Sequence, residues 1–415
     1  MTYGLIGEHL GHSFSRIIHE HLTGEPYELR ELARPELGGF LRSEPFRGIN
    51  VTIPYKQAVI PYMDELAPSA LLTGAVNAIV RSQDGRLTGH NTDFDGVLAM
   101  AAAAGVQFKG ADVVILGEGG ASKAVAAAAR KEGARSVRFA VRREPFNAVR
   151  VPIADPSTFA DCSVIVNATP VGMYPHDTDK PLDISVLPHL EGVLDCVYNP
   201  IRTELVLDAH QRGIPAAGGL MMLVAQAVRA AELFHSCTYP ASAIESTYRF
   251  LLAGRRNIVL CGMPSCGKTT VGRALADRLG MSFTDTDDVV RTHSGMEIPD
   301  IFALEGEEGF RKRESLAIEA VSQEHGMVIS TGGGAVLKGE NVRALRRNGI
   351  LFFLDRDPAL LQPTEDRPLS RDRAALDRLY RQRLPLYLAA ADARISNNGA
   401  LSDTVQAIIS YAQQG

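Results

Sequence analysis

The chain has 415 residues, which is more than one hydrophobic core usually serves, so its length predicts two or three domains. Its formal net charge is −5 and it has no basic tract, which argues against nucleic acid or an anionic membrane as the main partner. Its most hydrophobic long stretch, residues 214–234, is interrupted by glycines and charged side chains, so it predicts a buried helix rather than a membrane span.

Cysteine usage and the N-terminus indicate the compartment. The five cysteines are scattered without a Cys-x-x-Cys pair, as is usual in a reducing environment. The first residues lack the basic and apolar regions of a signal peptide. We therefore expect a cytoplasmic protein whose partners are small molecules, and the sequence leaves a homodimer open.

Short polar side chains are concentrated in the first 95 residues, in three clusters next to strand or turn signals. This arrangement suits recognition of a small polyhydroxylated acid rather than an apolar ligand. Lys56 and Asp93 stand out as an acid/base pair. Taken singly, these residues also have structural interpretations, because Ser13 and Asp93 can cap helices and Asn77 can form a turn.

A glycine-rich turn, Gly117–Ala121, begins the next predicted unit. The apolar run 113–116 before it predicts a buried parallel strand, and an alanine-rich helix extends from Ser122 to about Lys131. Strand, glycine turn and helix in this order are typical of the entry to a dinucleotide-binding βαβ unit.

Arg142 and Arg143 follow the next predicted strand, residues 137–141. An NAD-binding unit carries an acidic residue at this position to bind the ribose 2′-hydroxyl. Two arginines instead favour a 2′-phosphate and hence NADP. The alternative is that both are solvated surface side chains.

A complete phosphate-binding loop occupies residues 262–270, after the strand candidate 258–261 and before a helix predicted over 271–279. In such a loop backbone N–H groups cradle phosphate, a lysine reaches the β/γ-phosphates and a hydroxyl ligates Mg²⁺. The loop therefore predicts a nucleotide site. A P-loop that powers work on nucleic acid is the alternative, which the acidic charge balance disfavours. The motif residues are Gly262, Gly267, Lys268 and Thr269.

The combination of motifs resembles two enzyme families. Residues 3 to about 250 resemble shikimate dehydrogenases, and residues 257–415 resemble shikimate kinases. The first set of motifs lies at residues 11–15, 50–56, 74–77, 91–93, 117–121, 167–173, 195–200 and 218–226. The second set lies at residues 262–270, 285–287, 309–311, 332–334, 367–369 and 383–387.

The first resemblance implies roles in reducing 3-dehydroshikimate with NADPH. Lys56 and Asp93 match the catalytic pair, in which the ammonium stabilises and protonates the carbonyl oxygen. The serines would hold the substrate carboxylate, and other polar groups would bind ring hydroxyls. The implied substrate residues are Ser13, Ser15, Thr52, Asn77, Tyr198, Gly219 and Gln226. The implied NADP(H) residues are Gly117, Gly119, Gly120, Ala121, Arg142, Arg143, Asn167 and Thr169.

The second resemblance implies roles in phosphorylating shikimate with ATP. Lys268 would neutralise the phosphates, and Thr269 would hold Mg²⁺ with Asp285 acting through water. Asp287 is the candidate base or orienting group for the reacting hydroxyl. Asp287 and Lys268 are the implied catalytic residues of this reaction. The implied shikimate residues are Asp287, Arg311, Gly333 and Arg383. The implied ATP residues are Gly262, Gly267, Lys268, Thr269, Thr270 and Arg367.

Four features depart from these families, one of which is Arg16, where proline is common in the dehydrogenases. Glu118 stands in the glycine turn in place of a small neutral residue, and its carboxylate would repel a pyrophosphate unless it points to solvent. Ser265 replaces a glycine often seen in the kinase loop. The segment between Asp357 and Arg367 is short and lacks the basic stretch that many relatives carry.

The resemblance predicts an α/β architecture with three parts. Residues 1–95, completed by helices of 214–250, would form an α/β substrate domain. Residues 96–213 would form a Rossmann-type NADP domain, and residues 254–415 a P-loop kinase domain with a parallel sheet. Because the two families catalyse consecutive steps toward chorismate and the aromatic amino acids, the chain resembles a bifunctional fusion. A dehydrogenase carrying a degenerate ATP-binding regulatory module is the alternative, and quinate is left open as an additional substrate.

Overall fold

The computed structural model describes residues 1–11, 13–362 and 372–414. It divides into two compact units, residues 1–251 and 252–415. The first unit contains two six-stranded sheets and the second contains one five-stranded sheet. The predicted α/β fold is therefore confirmed, whereas the domain limits drawn from the sequence stay predictions. Within the described part of the chain, no helix combines the length and apolar character that crossing a bilayer requires.

A mixed sheet organises the first part of the first unit. Its strands are β1 (Tyr3–Gly7), β2 (Glu28–Glu31), β3 (Gly48–Val51), β4 (Glu65–Leu66), β5 (Ala78–Arg81) and β6 (Leu87–His90). Its helices are α1 (Ser15–Thr23), α2 (Leu37–Ser43), α3 (Pro68–Thr73) and α4 (Asp93–Ala104). The strand order is β2-β1-β3-β5-β6-β4, and β5 runs antiparallel to both β3 and β6.

The direction of these strands gathers the polar clusters. Because β5 is antiparallel to its two neighbours, the ends of β3 and β6 and the start of β5 lie at one edge of the sheet. Lys56 follows β3, Asn77 precedes β5 and Asp93 follows β6. The three residues therefore meet at this edge although 37 positions separate the first from the last.

A parallel sheet forms the second part of this unit, in the order β12-β11-β10-β7-β8-β9. The chain starts at the centre with β7, runs out to β9 and returns on the other side of β7. A crevice opens where the order reverses, and the glycine turn after β7 lies at this point. Its strands are β7 (Asp112–Leu116), β8 (Ser136–Val141), β9 (Arg150–Pro152), β10 (Val164–Asn167), β11 (Gly192–Asp195) and β12 (Ala216–Ala217). The helices are α5 (Gly120–Lys131), α6 (Glu204–Gln211) and α7 (Leu220–His235). Helix α8 (Ala243–Arg255) begins in this unit and ends beyond its limit at residue 251.

Helix α7 leaves the parallel sheet and packs against α1, α4 and β3 of the mixed sheet. Two glycines permit this close approach. A Cβ on Gly96 would lie 2.6 Å from the carbonyl oxygen of Met222, and a Cβ on Gly48 would lie 2.3 Å from the ring of Phe234. A side chain at either position would push α7 away from the sheet.

The second unit is built on a wholly parallel sheet in the order β14-β15-β13-β16-β17. Strand β13 lies at the centre, and the phosphate-binding loop follows it at the carboxyl edge. Its strands are β13 (Asn257–Cys261), β14 (Ser282–Asp285), β15 (Met327–Ser330), β16 (Gly349–Asp355) and β17 (Ala393–Ser396). Its helices are α9 (Lys268–Leu279), α10 (Thr286–Ser294), α11 (Ile298–Ser322), α12 (Gly339–Asn348), α13 (Arg373–Ala390) and α14 (Leu401–Gln414).

Helix α11 contains a break, and short 3₁₀ turns connect several of the other elements. Helix α11 is interrupted at Gly306, whose φ of 69° and ψ of −174° are not helical. The 3₁₀ turns are Arg34–Glu36, Ile60–Tyr62, Pro156–Phe159, Ile184–Val186, Ala335–Leu337 and Pro358–Leu360.

His19 is a buried imidazole in the core of the first unit. Its ring stacks on Tyr27 at 4.1 Å and on Phe234 at 6.0 Å, and its Nε2 has no hydrogen-bond partner within the described residues. Burial, with a smaller contribution from the charge of His235, lowers the pKa of His19 to about 3, against the opposing hydrogen bond with Asn50. The imidazole is therefore neutral in the folded state.

We predict that His19 makes the first unit sensitive to acid. Because the pKa is lower in the folded state than the 6.5 of the unfolded state, stability is full above pH 6.5 and falls as the pH drops toward 3. At pH 4.5 the loss is about 3 kcal/mol. His19→Phe keeps a stacking ring and should remove this loss, which calorimetry at pH 7.5 and 4.5 would measure. His21→Phe, at an exposed position of α1, is the control, and equal acid sensitivity of both variants would contradict the prediction.

Candidate active sites

An ion pair between Lys56 and Asp93 forms the centre of the first site. The Nζ–Oδ2 distance is 2.6 Å, and the side chains are 19% and 7% exposed. The Asn77 amide donates to the other carboxylate oxygen of Asp93 at 2.9 Å. Helix α4 begins at Asp93 itself, and the preceding Thr92 makes no side-chain cap bond. The interpretation of Asp93 as a helix cap is therefore wrong, because its carboxylate binds Lys56 and Asn77.

A second layer of hydrogen bonds connects this pair to α7. The Asn77 amide lies 3.1 Å from the Thr92 hydroxyl and 3.5 Å from Gln226 Oε1. Thr92 Oγ1 lies 3.4 Å from the same Gln226 oxygen. The backbone N–H of Thr92 donates to Asn77 Oδ1 at 2.7 Å. The structure therefore brings Asn77 and Gln226 together. No site role for Thr92 was predicted from the sequence. Its position directly before Asp93 could have indicated one.

The other predicted substrate residues lie near the start of α1, near the start of α7 and directly after β3. The Ser15 N–H donates to Ser13 Oγ at 3.2 Å, and the ring of Phe14 between them packs on Tyr198 at 5.2 Å. Gly219, the residue before α7, donates its N–H to the Val197 carbonyl at 2.8 Å. Thr52 directly follows β3 and donates its N–H to the Ile6 carbonyl at 3.0 Å.

A cavity of about 410 Å³ opens beside the glycine turn. Gly117 has a φ of +94°, a region that favours glycine, and a Cβ there would lie 2.9 Å from the Thr169 methyl group. Asn167 Oδ1 accepts from the backbone N–H and the hydroxyl of Thr169 at 3.0 and 2.7 Å. Arg142 and Arg143 line the cavity as exposed side chains directly after β8. The glycine cradle and the two cations fit a dinucleotide with an extra phosphate.

The glycine turn also touches the ion pair. A Cβ on Gly120 would lie 3.3 Å from Cδ of Lys56, so the stem of the lysine packs on the backbone at the start of α5. Gly119 is the N-cap residue of α5, and Gly120 and Ala121 form its first turn. The predicted cofactor turn and the predicted acid are therefore neighbours.

Asp195 is a buried carboxylate that hydrogen-bonds to three segments near this site. It accepts hydrogen bonds from the Asn167 amide at 2.9 Å, the Val197 N–H at 2.9 Å and the Thr203 hydroxyl at 2.7 Å. Burial raises the pKa of Asp195 to about 7, against the effect of these donors. No role was predicted for it. Its position at the end of β11, at the same sheet edge as the glycine turn, was the available signal.

The phosphate-binding loop is closed by its own lysine. Lys268 Nζ donates to the carbonyls of Gly262 and Met263 at 3.1 and 2.9 Å. Gly267 has a φ of +97°, and Ser265 also lies in the left-handed region with a φ of +60°. The serine that replaces a family glycine is thus held in a conformation that costs a residue with a Cβ about 1–2 kcal/mol. Thr270 is exposed on the first turn of α9.

Thr269 and Asp285 present oxygen ligands beside this loop. The Thr269 hydroxyl donates to Asp285 Oδ2 at 3.0 Å, and the other oxygen of Asp285 accepts from the Asp287 N–H at 3.1 Å. Hard oxygen ligands of this kind, together with phosphate, are those that Mg²⁺ prefers. The donor set therefore fits the predicted metal.

Arg311 is held by two acids that were not predicted. Its Nη1 donates to Glu314 at 2.7 Å, and its Nε and Nη2 both donate to one oxygen of Glu307 at 3.3 and 3.1 Å. Glu314 is 1% exposed, and burial raises the pKa of its carboxyl group, which the nearby Asp287 also raises. Glu314 lies three positions after Arg311 and Glu307 four positions before it, on one helix. This spacing could have indicated both ion pairs from the sequence.

The glycine segment 332–334 brings the remaining predicted residues together. Its central carbonyl, on Gly333, accepts from Arg383 Nη1 at 2.9 Å and from the Tyr387 hydroxyl at 2.5 Å. A Cβ on Gly332 would lie 2.5 Å from Glu314 and 3.0 Å from Asp287. Asp287, Arg311 and Arg383 therefore surround one segment of backbone. Arg367, predicted to contact ATP, lies outside the described residues.

The N-terminal and C-terminal parts of the chain are similar to different known proteins. The model of the shikimate dehydrogenase substrate binding domain matches residues 5–79, and the shikimate kinase model matches residues 264–413. A shikimate dehydrogenase (NADP(+)) from Clostridium beijerinckii is 32% identical over 260 residues, which cover 59% of this chain and 96% of that protein. A shikimate kinase from Symbiobacterium thermophilum is 44% identical over 168 residues, which cover 38% of this chain and 97% of that protein.

A solved structure agrees with this similarity in the first unit. The crystal structure of shikimate 5-dehydrogenase from Thermus thermophilus, in complex with NADP(H) and shikimate, superposes with a TM-score of 0.54 at 31% identity. The match covers 60% of this chain and 99% of that chain. The similarity therefore extends over the whole length of the known enzyme and includes both sheets of the first unit.

Proposed function

The chain belongs to the shikimate dehydrogenase family in its N-terminal part and to the shikimate kinase family in its C-terminal part, and from this premise we propose that it catalyses two consecutive reactions. It is an oxidoreductase and a phosphotransferase of the shikimate pathway that uses NADP and ATP. In the proposed first reaction 3-dehydroshikimate is reduced to shikimate with NADPH. In the second, shikimate is phosphorylated to shikimate 3-phosphate.

The Lys56–Asp93 pair supports the first reaction, because it combines a positioned ammonium with contact to the cofactor turn. The carboxylate of Asp93 is fixed by Asn77, so it holds the ammonium in one place. NADPH, when bound in the cavity beside Gly117, supplies a hydride. Lys56 stabilises the negative charge that develops on the substrate carbonyl oxygen and gives that oxygen a proton. Asp93 keeps the lysine oriented and accepts a hydrogen bond from the neighbouring substrate hydroxyl.

The surrounding residues supply recognition of a hydroxylated acid. Asn77 and Gln226 present amide groups at the same point, and Thr52 lies on the loop between β3 and Lys56. Ser13 and Ser15 present hydroxyls at the start of α1, where they bind the substrate carboxylate in this proposal. Arg142 and Arg143 bind the 2′-phosphate of the cofactor, because two cations replace the acidic residue of an NAD site.

Asp287, Arg311 and Arg383 around the glycine segment 332–334 support the second reaction. Lys268 neutralises the β/γ-phosphates of ATP, and to do so its ammonium leaves the carbonyls that it now binds. Arg311 and Arg383 grip the shikimate carboxylate, for which a planar guanidinium fork is suited. Asp287 orients the reacting hydroxyl and accepts its proton. Thr269 would hold Mg²⁺, with Asp285 acting through water, and the metal would supply neutralisation of phosphate charge.

Product analysis of the purified full-length chain tests both activities. The chain is mixed with 3-dehydroshikimate and NADPH, with or without MgATP, and the products are identified by mass. Shikimate should form without ATP, and shikimate 3-phosphate should form once ATP is present. Accumulation of shikimate without its phosphate in the presence of MgATP would contradict the kinase proposal and favour a regulatory ATP-binding module.

Lys56→Ala should reduce the rate of 3-dehydroshikimate reduction by about a hundredfold or more, because a positioned general acid is lost. NADPH binding, followed by its fluorescence, should change little. Lys109→Ala, an exposed lysine of the same unit, is the control. Turnover near the unsubstituted rate would show that another group donates the proton.

Asp287→Asn should abolish phosphoryl transfer while ATP remains bound, because the loop and not this carboxylate holds the phosphates. Single-turnover assays would measure transfer, and calorimetric titration would measure ATP binding. Asp288→Asn changes the adjacent carboxylate, which pairs with Arg291 at the surface, and should leave transfer intact. Loss of ATP binding in the Asp287 variant would indicate a structural role instead.

Glu307→Gln should lower the KM for shikimate about two- to fivefold, the equivalent of a half-exposed ion pair of ~0.4–1 kcal/mol. The reason is competition, because Glu307 occupies the Nε and Nη2 donors of Arg311 that a substrate carboxylate requires. Glu308→Gln removes a more exposed ion pair of the same helical spacing, with Lys312, that does not involve Arg311, and it serves as the control. A raised KM would show that Glu307 positions the guanidinium rather than competing for it.

A further inference from the structure

Glu118 places a negative charge where the cofactor phosphates are expected. It lies in the glycine turn between Gly117 and Gly119, and it lines the same cavity as Arg142 and Arg143. Its side chain is 56% exposed. The N-terminus of α5 attracts anions, so this carboxylate and a pyrophosphate favour the same region. An uncompensated carboxylate at this point would repel any dinucleotide.

Arg150 compensates this charge from a different strand. Its Nη2 lies 3.0 Å from one carboxylate oxygen of Glu118 and 3.1 Å from the other, and 3.4 Å from the backbone carbonyl of Arg143. The arginine is 26% exposed and does not line the cavity itself. It therefore holds Glu118 from the outer side.

Hydrogen bonds in the loop before Arg150 hold the backbone of the arginine in place. Asn147 Oδ1 accepts from the N–H groups of Val149 and Arg150 at 2.8 and 2.9 Å. Strand β9 then begins at Arg150, in parallel register with Phe139 of β8. The guanidinium thus bridges the glycine turn after β7 and the loop that carries both cavity arginines.

We infer that Arg150 is a positioning residue for the cofactor site, because it neutralises Glu118 and holds its carboxylate away from the phosphates of a bound dinucleotide. The inference rests on the proposed reductase function. With the pair intact, the charges that the cofactor meets are those of Arg142, Arg143 and the helix N-terminus. Without Arg150, the free carboxylate opposes the phosphates that NADPH and NADH share. The pair therefore controls affinity for both dinucleotides and leaves the choice between them to the two cavity arginines.

A double-substitution cycle on the full-length chain tests this inference. Binding of NADPH and of NADH is titrated by fluorescence without substrate, and thermal unfolding is recorded without cofactor. Arg150→Ala should raise both dissociation constants about tenfold and by the same factor, because the unpaired carboxylate faces phosphates common to both. Glu118→Ala added to Arg150→Ala should restore both constants to within about twofold, a rescue that a misfolded loop would not give.

Two further variants complete the design. Arg150→Lys keeps the positive charge and should stay within about threefold of the unsubstituted affinities. Arg138→Ala breaks a comparable ion pair, with Asp161, on the same sheet and away from the cavity, and should change neither constant.

Three outcomes would overturn the inference. Unchanged affinities in Arg150→Ala would show that Glu118 does not face the phosphates. A loss confined to NADPH that Glu118→Ala does not rescue would make Arg150 a 2′-phosphate ligand. Absence of NADPH binding to the unsubstituted chain would contradict the reductase proposal itself, and the inference with it.

Discussion

A charge that leaves bulk water needs a partner, and this requirement shapes both sites. Lys56 is held by Asp93, Arg311 by Glu307 and Glu314, and Lys268 by carbonyls of its own loop. In each case the protein supplies the partner that a substrate is proposed to replace or to share. These three cations therefore have partners before any ligand arrives, and ligand binding at them exchanges one partner for another. Ligand affinity then depends on how much more strongly the ligand binds these cations than the protein's own partner groups do.

Local signals predicted much of the fold and the core of both sites. The glycine turn after β7 and the phosphate loop after β13 are short segments whose chemistry is complete in five to nine residues, so strand, turn and helix could be located from the sequence. The ends of β3 and β6 carried polar clusters that could also be recognised. What the sequence did not show was the antiparallel β5 that brings those ends together.

Contacts made across long separations were predicted only through family resemblance, or not at all. Gln226 reaches Asn77 across 149 positions, and that approach depends on Gly96 and Gly48 accepting α7 at close range. Asp195 and Arg150 bind side chains that are distant in the sequence, Asn167 and Glu118 respectively, so no local pattern separates them from ordinary buried or surface charges. Glu307 and Glu314 are different, because their helical spacing from Arg311 was visible in the sequence. They were missed because charged residues at such spacing are common on solvated helices.

The break in α11 at Gly306 has a consequence for Glu307. Because Gly306 is not helical, Glu307 stands at the beginning of a new helical segment, and the positive end of that segment's dipole favours a negative charge there independently of Arg311. When a substrate carboxylate takes the guanidinium, Glu307 therefore keeps a local source of stabilisation and need not follow the arginine. A continuous helix would leave the displaced acid without support. The interruption thus makes the exchange of partners at Arg311 less costly than the loss of an ion pair alone suggests.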